Sequence, residues 1–321
     1  MTISVELGSS NTKIFDSNNG LVYCEPSVFA VKTKRGKSQV LAYGRNAYDM
    51  ANELQPDEKL VQPIKNGQIA DFDSAKIMLD CILADLVGGK NTRKDVSIII
   101  AVPTCSSKAQ KEQFNELFHK LGFYFITIVP QLSATAALLD EDESNSYLVV
   151  DIGAGKTEIG LCTINNVVNA ISLSLGGELI DLGIYDALKT KYDISVSRRE
   201  IERIKETVGS LYTSDETTSK IWAQNREDLT NDYYVVSNKD FNGVLVACYD
   251  KIIEAISVFI NSLDEEYQKD VINTGIFFTG LSCEIIGFEK FFKNKLQTNI
   301  YLLDSPATAT IEGALQCYIN S

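Results

Sequence analysis

The sequence predicts an α/β protein built from two similar domains, each with a mixed sheet flanked by helices. Segments with strand and helix patterns alternate along the 321 residues, and this length favours two domains over one. Residues 6–15 and 151–160 also share one pattern, in which a carboxylate ends an apolar strand, glycine and small residues follow, and a strand resumes at Thr-x-Ile. The two halves of the chain therefore share one plan.

The first half is predicted to begin with several strands and then to alternate strands with helices. Asp71 and Ser74 supply the N-cap region of its first helix, and Gly88 with Gly89 ends that helix. The strand that ends at Pro103 is largely apolar, which indicates a central position in a sheet. We expect strands at 2–7, 11–16, 20–24, 28–31, 39–43, 95–102 and 125–129, a strand–turn–strand unit at 60–69, and helices at 74–87, 106–121 and 133–139. The buried face of the first helix is expected to contain Ile77, Met78, Cys81, Ile82 and Leu86.

The second half repeats this order of elements. We expect strands at 147–152, 156–163, 166–173, 275–279 and 299–302, and helices at 178–191, 197–211, 241–263, 284–294 and 306–319. Residues 212–240 are polar and are expected to be irregular. The domain division is expected at short crossings near 140–146 and 303–306. The predicted domains are 1–145 with 304–321, carrying an inserted subdomain at about 29–71, and 146–303, carrying one at about 181–244.

Composition argues against several classes of function. The chain has 30 Lys plus Arg against 43 Asp plus Glu, a formal charge of −13, which argues against general nucleic-acid binding and gives no help in approaching an anionic membrane. Its single histidine, His119, lies in a predicted helix, so a Ser-His-Asp triad or a histidine metal cluster is not expected. The seven cysteines form no C-x-x-C pair, and we expect buried, reduced thiols. With neither a basic leader nor an apolar run of membrane-spanning length in the sequence, we expect a cytoplasmic protein.

The two acid-led hairpins carry the functional prediction. Their turns are nearly bare of side chains, so backbone N–H groups can approach an anion as closely as phosphate sites require. Glu6 and Asp151 stand where each could hold a metal-bound water beside that phosphate. One such hairpin would be an ordinary turn, but two matching copies suggest that a nucleotide is clamped between two related domains.

Several short runs of sequence carry a family resemblance. They are E-P-S-V at 25–28, Q-P-I-K-N-G-Q-I-A-D-F at 62–72, D-I-G-A-G-K-T-E-I at 151–159, E-R-I-K at 202–205 with G-S at 209–210, N-R-E-D-L at 225–229 and G-I-F-F-T-G at 275–280. In this order they resemble the actin, sugar-kinase and heat-shock-chaperone ATPase superfamily, and within it the bacterial actins of the MreB family. The resemblance covers almost the whole chain. Plasmid-segregation actins share the hairpins but not the runs at 25–28 and 69–72.

The resemblance implies an actin-like fold and an ATPase that polymerises. ATP or ADP would lie in the cleft between the domains with Mg²⁺. Subunits would assemble head-to-tail into paired protofilaments that serve cell shape or motility, and slow hydrolysis would time their disassembly or bending. Whether ATP or GTP is preferred, and whether the filaments are parallel or antiparallel, stays open.

The resemblance also implies roles for individual residues around the phosphates. Lys13 would contact phosphate, although a lysine on a strand is commonly surface charge. Gln131 would orient the attacking water, although alone it could be a surface residue. Lys156 replaces a hydroxyl residue and could pair with the γ-phosphate or with Glu158, and with Gln131 and Asp151 it forms the expected catalytic set. The backbone groups expected at the phosphates belong to Gly8, Ser9, Ser10, Asn11, Thr12, Gly153, Ala154, Gly155 and Thr157.

The metal and sugar contacts are implied in the same way. Glu6 and Asp151 would hold Mg²⁺ through water, although Glu6 stands where most family members have Asp and could simply cap the turn. The ribose would meet Gly176, Gly177 and Asp181, and the adenine would meet Glu202, Lys205 and Glu206. Without the resemblance, Glu202 and Lys205 would be an ordinary i,i+3 charge pair. Gly280, Leu281 and Ser282 form the third nucleotide loop, where Leu281 could narrow the site.

Three alternatives and the membrane question remain open at this point. A non-polymerising kinase of the superfamily would need a catalytic base, and the sequence offers no evident one beyond the metal carboxylates. A chaperone would need a peptide-binding domain after residue 321, which we do not expect, and a plasmid-segregation actin would need an adaptor. The polar, basic loop 88–94 occupies the place where some MreB proteins carry an apolar membrane pair, so a solvated turn is expected there with at most weak contact to anionic lipid.

Overall fold

A computed structural model describes residues 1–34, 36–139, 146–163 and 166–319. The first half contains ten strands and five helices within those residues. The strands are β1 (Thr2–Leu7), β2 (Asn11–Asp16), β3 (Gly20–Pro26), β4 (Phe29–Lys34), β5 (Lys37–Tyr43), β6 (Glu58–Val61), β7 (Ile64–Lys65), β8 (Gln68–Ile69), β9 (Ser97–Val102) and β10 (Phe125–Pro130). The helices are α1 (Gly44–Asp49), α2 (Phe72–Leu86), α3 (Lys90–Arg93), α4 (Lys108–Lys120) and α5 (Gln131–Ala136).

The second half continues the alternation. Its strands are β11 (Tyr147–Ile152), β12 (Thr157–Thr163), β13 (Asn166–Leu173), β14 (Ile194–Val196), β15 (Thr218–Asn225), β16 (Asn231–Ser237), β17 (Ile276–Thr279) and β18 (Ile300–Leu302). Its helices are α6 (Gly177–Tyr192), α7 (Arg198–Val208), α8 (Asn242–Asn261), α9 (Glu265–Thr274), α10 (Phe288–Leu296) and α11 (Ala309–Ile319).

Two five-stranded mixed sheets share one plan, which confirms the predicted α/β class. The first has the order β10-β9-β1-β2-β3, with β1 antiparallel to β2 and parallel to β9. The second has the order β13-β12-β11-β17-β18, with β11 antiparallel to β12 and parallel to β17. The registers also correspond, since Glu6 lies opposite Lys13 and Asp151 lies opposite Glu158. The two acid-led hairpins therefore occupy equivalent places in their sheets.

Three smaller sheets stand beside these two. They have the orders β5-β4-β6, β14-β15-β16 and β7-β8. In the last of them Asn66 and Gly67 connect the strands with φ of 50° and 66°, which is the conformation that favours an Asn-Gly hairpin turn. The first small sheet lies in the predicted insertion at 29–71 and the second in the predicted insertion at 181–244.

Each large sheet buries its own apolar core. In the first half, α2 and α4 cover the sheet with residues such as Met78, Leu79, Phe114 and Phe118. In the second, α6, α8 and α10 do so. The last helix, α11, returns to the first half, where a Cβ on Gly313 would lie only 1.9 Å from the carbonyl oxygen of Ala134. This close approach, and the buried cluster that α11 forms with β9 and α5, attach residues 309–319 to the first sheet.

Several sequence-based expectations about the elements are wrong. Residues 212–240 are not irregular, because β15 and β16 form a sheet in which Ile221 and Ala223 are buried while Trp222 between them is exposed. Helices α1 and α9 and the short strand β14 were not expected. Ile77 lies on the exposed side of α2 rather than in the core, and the remaining differences are shifts of a few residues at element ends.

Two further expectations need correction. Loop 88–94 is not a simple solvated turn, because it contains α3 and buries Arg93, whose guanidinium binds Asp80 at 2.7 Å and the carbonyls of Gly88 and Leu121. The seven cysteines are all free, but Cys24 and Cys105 are exposed rather than buried. The predicted crossing at 140–146 lies almost entirely outside the described residues, so the domain boundaries stay a prediction.

Candidate functional site

A cleft of about 630 Å³ lies between the two halves, and both halves line it. The first half contributes the turn of the β1–β2 hairpin, and the second contributes the turn of the β11–β12 hairpin. Predicted site residues that line the cleft are Glu6, Gly8, Ser9, Ser10, Asn11, Lys13, Gln131, Asp151, Gly153, Ala154, Gly155, Lys156, Gly177, Asp181, Glu202, Lys205, Glu206, Gly280, Leu281 and Ser282.

The two hairpin turns are built alike and face each other. Gly8 N–H donates to the carbonyl of Asn11 at 3.0 Å, and Gly153 N–H donates to the carbonyl of Lys156 at 2.9 Å. A Cβ on Gly155 would lie 2.6 Å from Ser9 Oγ, so the second turn closely approaches the first. At this point of contact there is no room for a side chain on residue 155.

The Asn66-Gly67 turn touches both hairpins, and sequence reasoning missed this. Gly67 N–H donates to Ser9 Oγ at 3.1 Å, and a Cβ on Gly155 would lie 2.8 Å from Asn66 Oδ1. A Cβ on Gly67 would also lie 3.4 Å from the Lys156 side chain. The Asn-Gly dipeptide signals a tight turn in the sequence, but its position against two distant loops is a long-range property.

Glu6 lies on the floor of the cleft between two polar partners. Its Oε2 accepts a hydrogen bond from Lys13 Nζ at 3.0 Å, and its Oε1 accepts one from Gln131 Nε2 at 3.3 Å. Burial opposes the charge of Lys13, but the adjacent Glu6 carboxylate outweighs it and raises the pKa of Lys13. Among the described residues, the buried Oε1 of Gln131 has no hydrogen-bond partner. It is an acceptor beside a carboxylate, suited to a hydroxyl or water donor.

Asp151 is the second carboxylate on the floor of the cleft. Burial and the nearby negative charge of Glu6 raise its pKa from 3.8 to about 7, although Lys156 and Lys13 act in the opposite direction. Burial and the charge of Glu6 disfavour the ionised form of this carboxyl group, and a bound cation would stabilise that form. Within the parts of the chain described above, no three His, Cys, Asp or Glu side chains stand close enough together to hold a metal ion by themselves.

Lys156 pairs with Glu158, one of the two partners left open by the sequence. Its Nζ lies 2.9 Å from Glu158 Oε2. The Glu158 carboxylate also accepts hydrogen bonds from the backbone N–H groups of Thr104 (3.0 Å) and Cys105 (3.1 Å), which follow the central strand β9. Glu158 thus joins the second hairpin to the first half, and it was not among the predicted site residues.

Helix α7 brings charged side chains to the opposite wall of the cleft. Lys205 Nζ lies 2.8 Å from Asp181 Oδ1, and burial raises the pKa of Asp181 in spite of this partner. Glu202 accepts a hydrogen bond from Arg198 at 2.7 Å instead of pairing with Lys205. The alternative interpretation of Glu202 and Lys205 as a simple i,i+3 charge pair is therefore wrong. Arg198 is a cleft residue that sequence reasoning missed.

The third loop closes the side of the cleft next to Asp151. Gly280 has φ of +91°, and a Cβ there would lie 2.4 Å from the carbonyl of Ile152, so only glycine fits without strain. Ser282 Oγ donates to the carbonyl of Gly153 at 3.3 Å. Leu281 lines the cleft and is partly exposed.

Three predicted site residues lie behind the wall of the cleft rather than on it. Thr12 Oγ1 contacts Ser27 Oγ at 2.9 Å, and Thr157 Oγ1 donates to the carbonyl of Leu175 at 2.7 Å. Gly176 packs against the second hairpin, where a Cβ would lie 2.6 Å from the carbonyl oxygens of Gly153 and Ala154. All three support the hairpin turns from behind.

Two related halves whose acid-led hairpins face each other across one cleft define an actin-like protein. The model of the MreB/Mbl protein family matches residues 1–320. The chain belongs to the MreB/Mbl family. A curated relative, the cell shape-determining protein MreB of Escherichia coli (strain K12), is 25% identical over 316 residues, which are 97% of this chain and 91% of the relative.

Solved structures show the same fold. The structure of MreB 5 of Spiroplasma citri bound to AMPPNP has a TM-score of 0.90 and 24% identity, and the match covers 98% of this chain and 94% of that one. The MamK double helical filament has a TM-score of 0.82 and 20% identity, and the match covers 99% of each chain. The predicted actin-like fold is therefore confirmed. Among the described residues, no helix combines the length and the apolar character needed to cross a bilayer.

Proposed function

We propose that this chain is a cytoplasmic, actin-like cytoskeletal protein that binds ATP with Mg²⁺, hydrolyses it slowly and polymerises into filaments that serve cell shape or motility. The observation that carries the proposal is the approach of Gly155 to Ser9, which brings two bare, acid-led turns to opposite sides of one cleft. A polyphosphate is the ligand that such paired turns recognise. The AMPPNP carried by MreB 5 of Spiroplasma citri supports a nucleotide here.

The nucleotide would lie along the cleft with its phosphates between the hairpins. The backbone N–H groups of residues 8–12 and 153–157 would bind the β- and γ-phosphates, and Lys13 would add a cation beside them. Asp181, Lys205 and Gly177 would border the ribose and base. Glu202, which would border the adenine, already has both carboxylate oxygens engaged, by Arg198 and by the Tyr48 hydroxyl.

The residues at the floor of the cleft fit a divalent cation. Glu6 and Asp151 present carboxylate oxygens, and the raised pKa of Asp151 indicates a buried carboxyl group without enough positive charge around it. Mg²⁺ prefers oxygen ligands, keeps several waters and commonly joins one or two carboxylates to phosphates. When bound, the ion would neutralise charge on the phosphates during transfer. Glu6 and Asp151 would hold it through water.

Hydrolysis would depend on the orientation of one water by Gln131. Its Oε1, which has no partner in the described part of the chain, can accept a hydrogen bond from that water, and its Nε2 already binds Glu6. An amide can orient a water but takes no proton at neutral pH, so its contribution is positional. Lys156 is held by Glu158 rather than pointing freely at the γ-phosphate, and this supports slow turnover.

Polymerisation is tested by sedimentation and electron microscopy of the purified chain with ATP and Mg²⁺. The MamK double helical filament supports paired protofilaments. We expect filaments in the pellet with ATP and Mg²⁺, and none with Mg²⁺ alone. A chain that binds nucleotide but stays monomeric at high concentration would remove the cytoskeletal role. ATP turnover stimulated by a sugar or a carboxylic acid would favour the alternative of a non-polymerising kinase, and capture of a centromere-bound adaptor would favour a plasmid-segregation actin.

A contact with anionic membrane is a second proposal, favoured by one exposed surface. Tyr124 and Phe125 are adjacent and exposed by 66% and 62%. A Cβ on Gly122 would lie 3.1 Å from Lys90 Cβ, so this aromatic pair stands beside the basic segment of α3. Aromatic rings favour the membrane interface, and each nearby cation contributes about 1 kcal/mol at an anionic surface. Tyr124 and Phe125, at the start of β10, would take the place of the apolar pair sought in loop 88–94.

A further inference from the structure

One helix from each half meets at the mouth of the cleft. Helix α1 belongs to the first half and α7 to the second. The Tyr48 hydroxyl of α1 donates a hydrogen bond to Glu202 Oε2 of α7. One residue further along α1 and three residues earlier in α7, Arg199 Nη1 lies 3.0 Å from Asp49 Oδ1. All four side chains line the cleft.

A second layer of hydrogen bonds holds the α7 side of this contact in place. Arg198 Nε donates to Glu202 Oε1 at 2.7 Å, and Arg198 Nη2 donates to Glu178 Oε1 at 3.2 Å. Gln62 Nε2 bonds both Glu178 Oε1, at 3.3 Å, and the carbonyl of Ser9 in the first hairpin, at 2.7 Å. Because Glu202 is fixed by Arg198, its second oxygen is preset for the Tyr48 hydroxyl.

The two cross-cleft contacts differ in strength. Tyr48 is half-buried, and burial together with the Glu202 carboxylate raises its pKa, so the phenol stays protonated and can donate. A hydrogen bond to a charged acceptor is among the stronger ones in proteins. The Asp49 and Arg199 side chains are 44% and 60% exposed, so their attraction is weaker and is screened by salt.

We propose that Tyr48, Asp49, Arg199 and Glu202 form a clasp across the mouth of the cleft, and that this clasp must open before a nucleotide can enter or leave. The inference rests on the proposed nucleotide site and adds to it a kinetic barrier built from named side chains. Opening separates α1 from α7 and leaves the phosphate contacts of the hairpins in place. The clasp therefore sets the rates of exchange more than the affinity.

The test measures two rates for a fluorescent N-methylanthraniloyl-ADP in the presence of Mg²⁺: its association on mixing with the protein, and its release on mixing the complex with excess unlabelled ADP. Tyr48→Phe keeps the ring and removes only the hydroxyl, and we expect release about tenfold faster because a hydrogen bond to a carboxylate is lost. Asp49→Asn should speed release about threefold, because an exposed ion pair is weak. Raising the salt concentration should speed release from the unmodified chain and have less effect on Asp49→Asn.

Tyr43→Phe is the matched control. It removes a phenol–carboxylate hydrogen bond to Asp85 that lies within the first half and does not cross the cleft between the halves. The rates of nucleotide association and release should therefore equal those of the unmodified chain. Circular dichroism melting curves should show that each variant is folded.

Three outcomes decide the inference. Faster release together with faster association in Tyr48→Phe supports the clasp. Unchanged release overturns it, and so does faster release with unchanged association, because that result would show a direct contact with the nucleotide. If the unmodified chain binds no nucleotide at all, the proposed function fails first and the clasp fails with it.

Discussion

The ammonium of Lys156 lies 2.9 Å from Oε2 of Glu158 behind the second hairpin, and the Glu158 carboxylate also reaches the first half of the molecule. The Glu158 side chain is 1% exposed and also accepts two backbone N–H groups from the loop after β9. A carboxylate with two backbone donors and an adjacent ammonium is well stabilised although it is buried. The loop that follows the central strand of the first half is thus held by a side chain of the second.

Replacing Lys156 with methionine should destabilise the protein. The change keeps the volume and leaves Glu158 buried with two donors and no cation. The free energy of unfolding should fall by about 3 kcal/mol, the lower end of the cost of breaking a buried ion pair, because the two donors remain. Urea denaturation of the nucleotide-free protein measures it. The free energy of unfolding should fall much less in Lys156→Arg, which keeps the positive charge. Equal stability of the methionine variant and the unmodified chain would show that the pair is not structural.

Adding one methyl group at Gly155 should separate the hairpins. Its Cβ would lie 2.6 Å from Ser9 Oγ and 3.0 Å from Asn66 Cα, and such overpacking costs about 1–3 kcal/mol. Gly155→Ala should therefore weaken nucleotide binding by about tenfold or more, since binding needs both turns at their present distance. Isothermal titration calorimetry with ATP and Mg²⁺ measures the affinity. The control is Gly243→Ala in α8, where nothing lies within 4 Å of the added Cβ and binding should stay as it is.

Asp151 should give the nucleotide-free protein a distinctive pH dependence. Its pKa is raised from 3.8 to about 7, so between these values the unfolded chain loses its proton while the folded protein keeps it. The unfolded state then binds fewer protons, and the free energy of unfolding should fall as pH rises from about 4 to about 7 and level off above that.

Comparison with Asp151→Asn isolates this effect, because the amide does not titrate. The difference in stability between the unmodified chain and the variant, measured by urea unfolding at several pH values, should decline with rising pH across that window. Parallel curves would mean that Asp151 is ionised in the folded protein throughout. Saturating ATP with Mg²⁺ should remove the decline if the carboxylate then faces a cation.

The hairpins were predictable from sequence because every feature that defines them is local. An acid, glycines and Thr-x-Ile within ten residues describe the β1–β2 and β11–β12 turns, and the register of Glu6 opposite Lys13 follows from the turn length. The wider fold followed from alternation of strand and helix patterns. Roles for Gln131 and Lys156 came from resemblance, and those roles stay predictions.

Elements that depend on distant packing escaped prediction. Strands β15 and β16 contain many polar residues, and only a few of their side chains, such as Ile221, Ala223 and Val236, are buried. Their burial comes from the core shared with α6 and α7, which no short window of sequence contains. The sequence gives one indication that Glu158 has a special role, because it is a carboxylate within an otherwise apolar strand. Its partners Thr104 and Cys105 could not be predicted, because they lie more than fifty residues away along the chain.

The exposed aromatic pair should control any contact with membrane. Tyr124→Ser with Phe125→Ser removes two interfacial rings and should reduce co-sedimentation with vesicles that contain anionic lipid. Both positions are largely exposed, so stability should change by no more than about 0.5 kcal/mol. Replacement of Trp222 by serine is a matched control, since this exposed ring lies on the β14-β15-β16 sheet. Equal binding of all variants, or no binding by the unmodified chain, would exclude this surface as a membrane contact.

Removing the Gln131 amide should slow hydrolysis and spare nucleotide binding. Its Nε2 binds Glu6 at 3.3 Å and its Oε1 is buried without a partner among the described residues, so the side chain is placed to orient a water between the carboxylates and the phosphates. Gln131→Ala should slow phosphate release by about 100-fold, as loss of a preorganised polar group in an active site does. The affinity for ATP should stay within about threefold, because the hairpin amides that bind phosphate are untouched. Phosphate release and calorimetric binding are measured on the same preparation, with Gln39→Ala on the exposed side of β5 as the control. Hydrolysis at the unmodified rate in Gln131→Ala would refute the assigned role, because it would show that Gln131 Oε1 does not orient the attacking water.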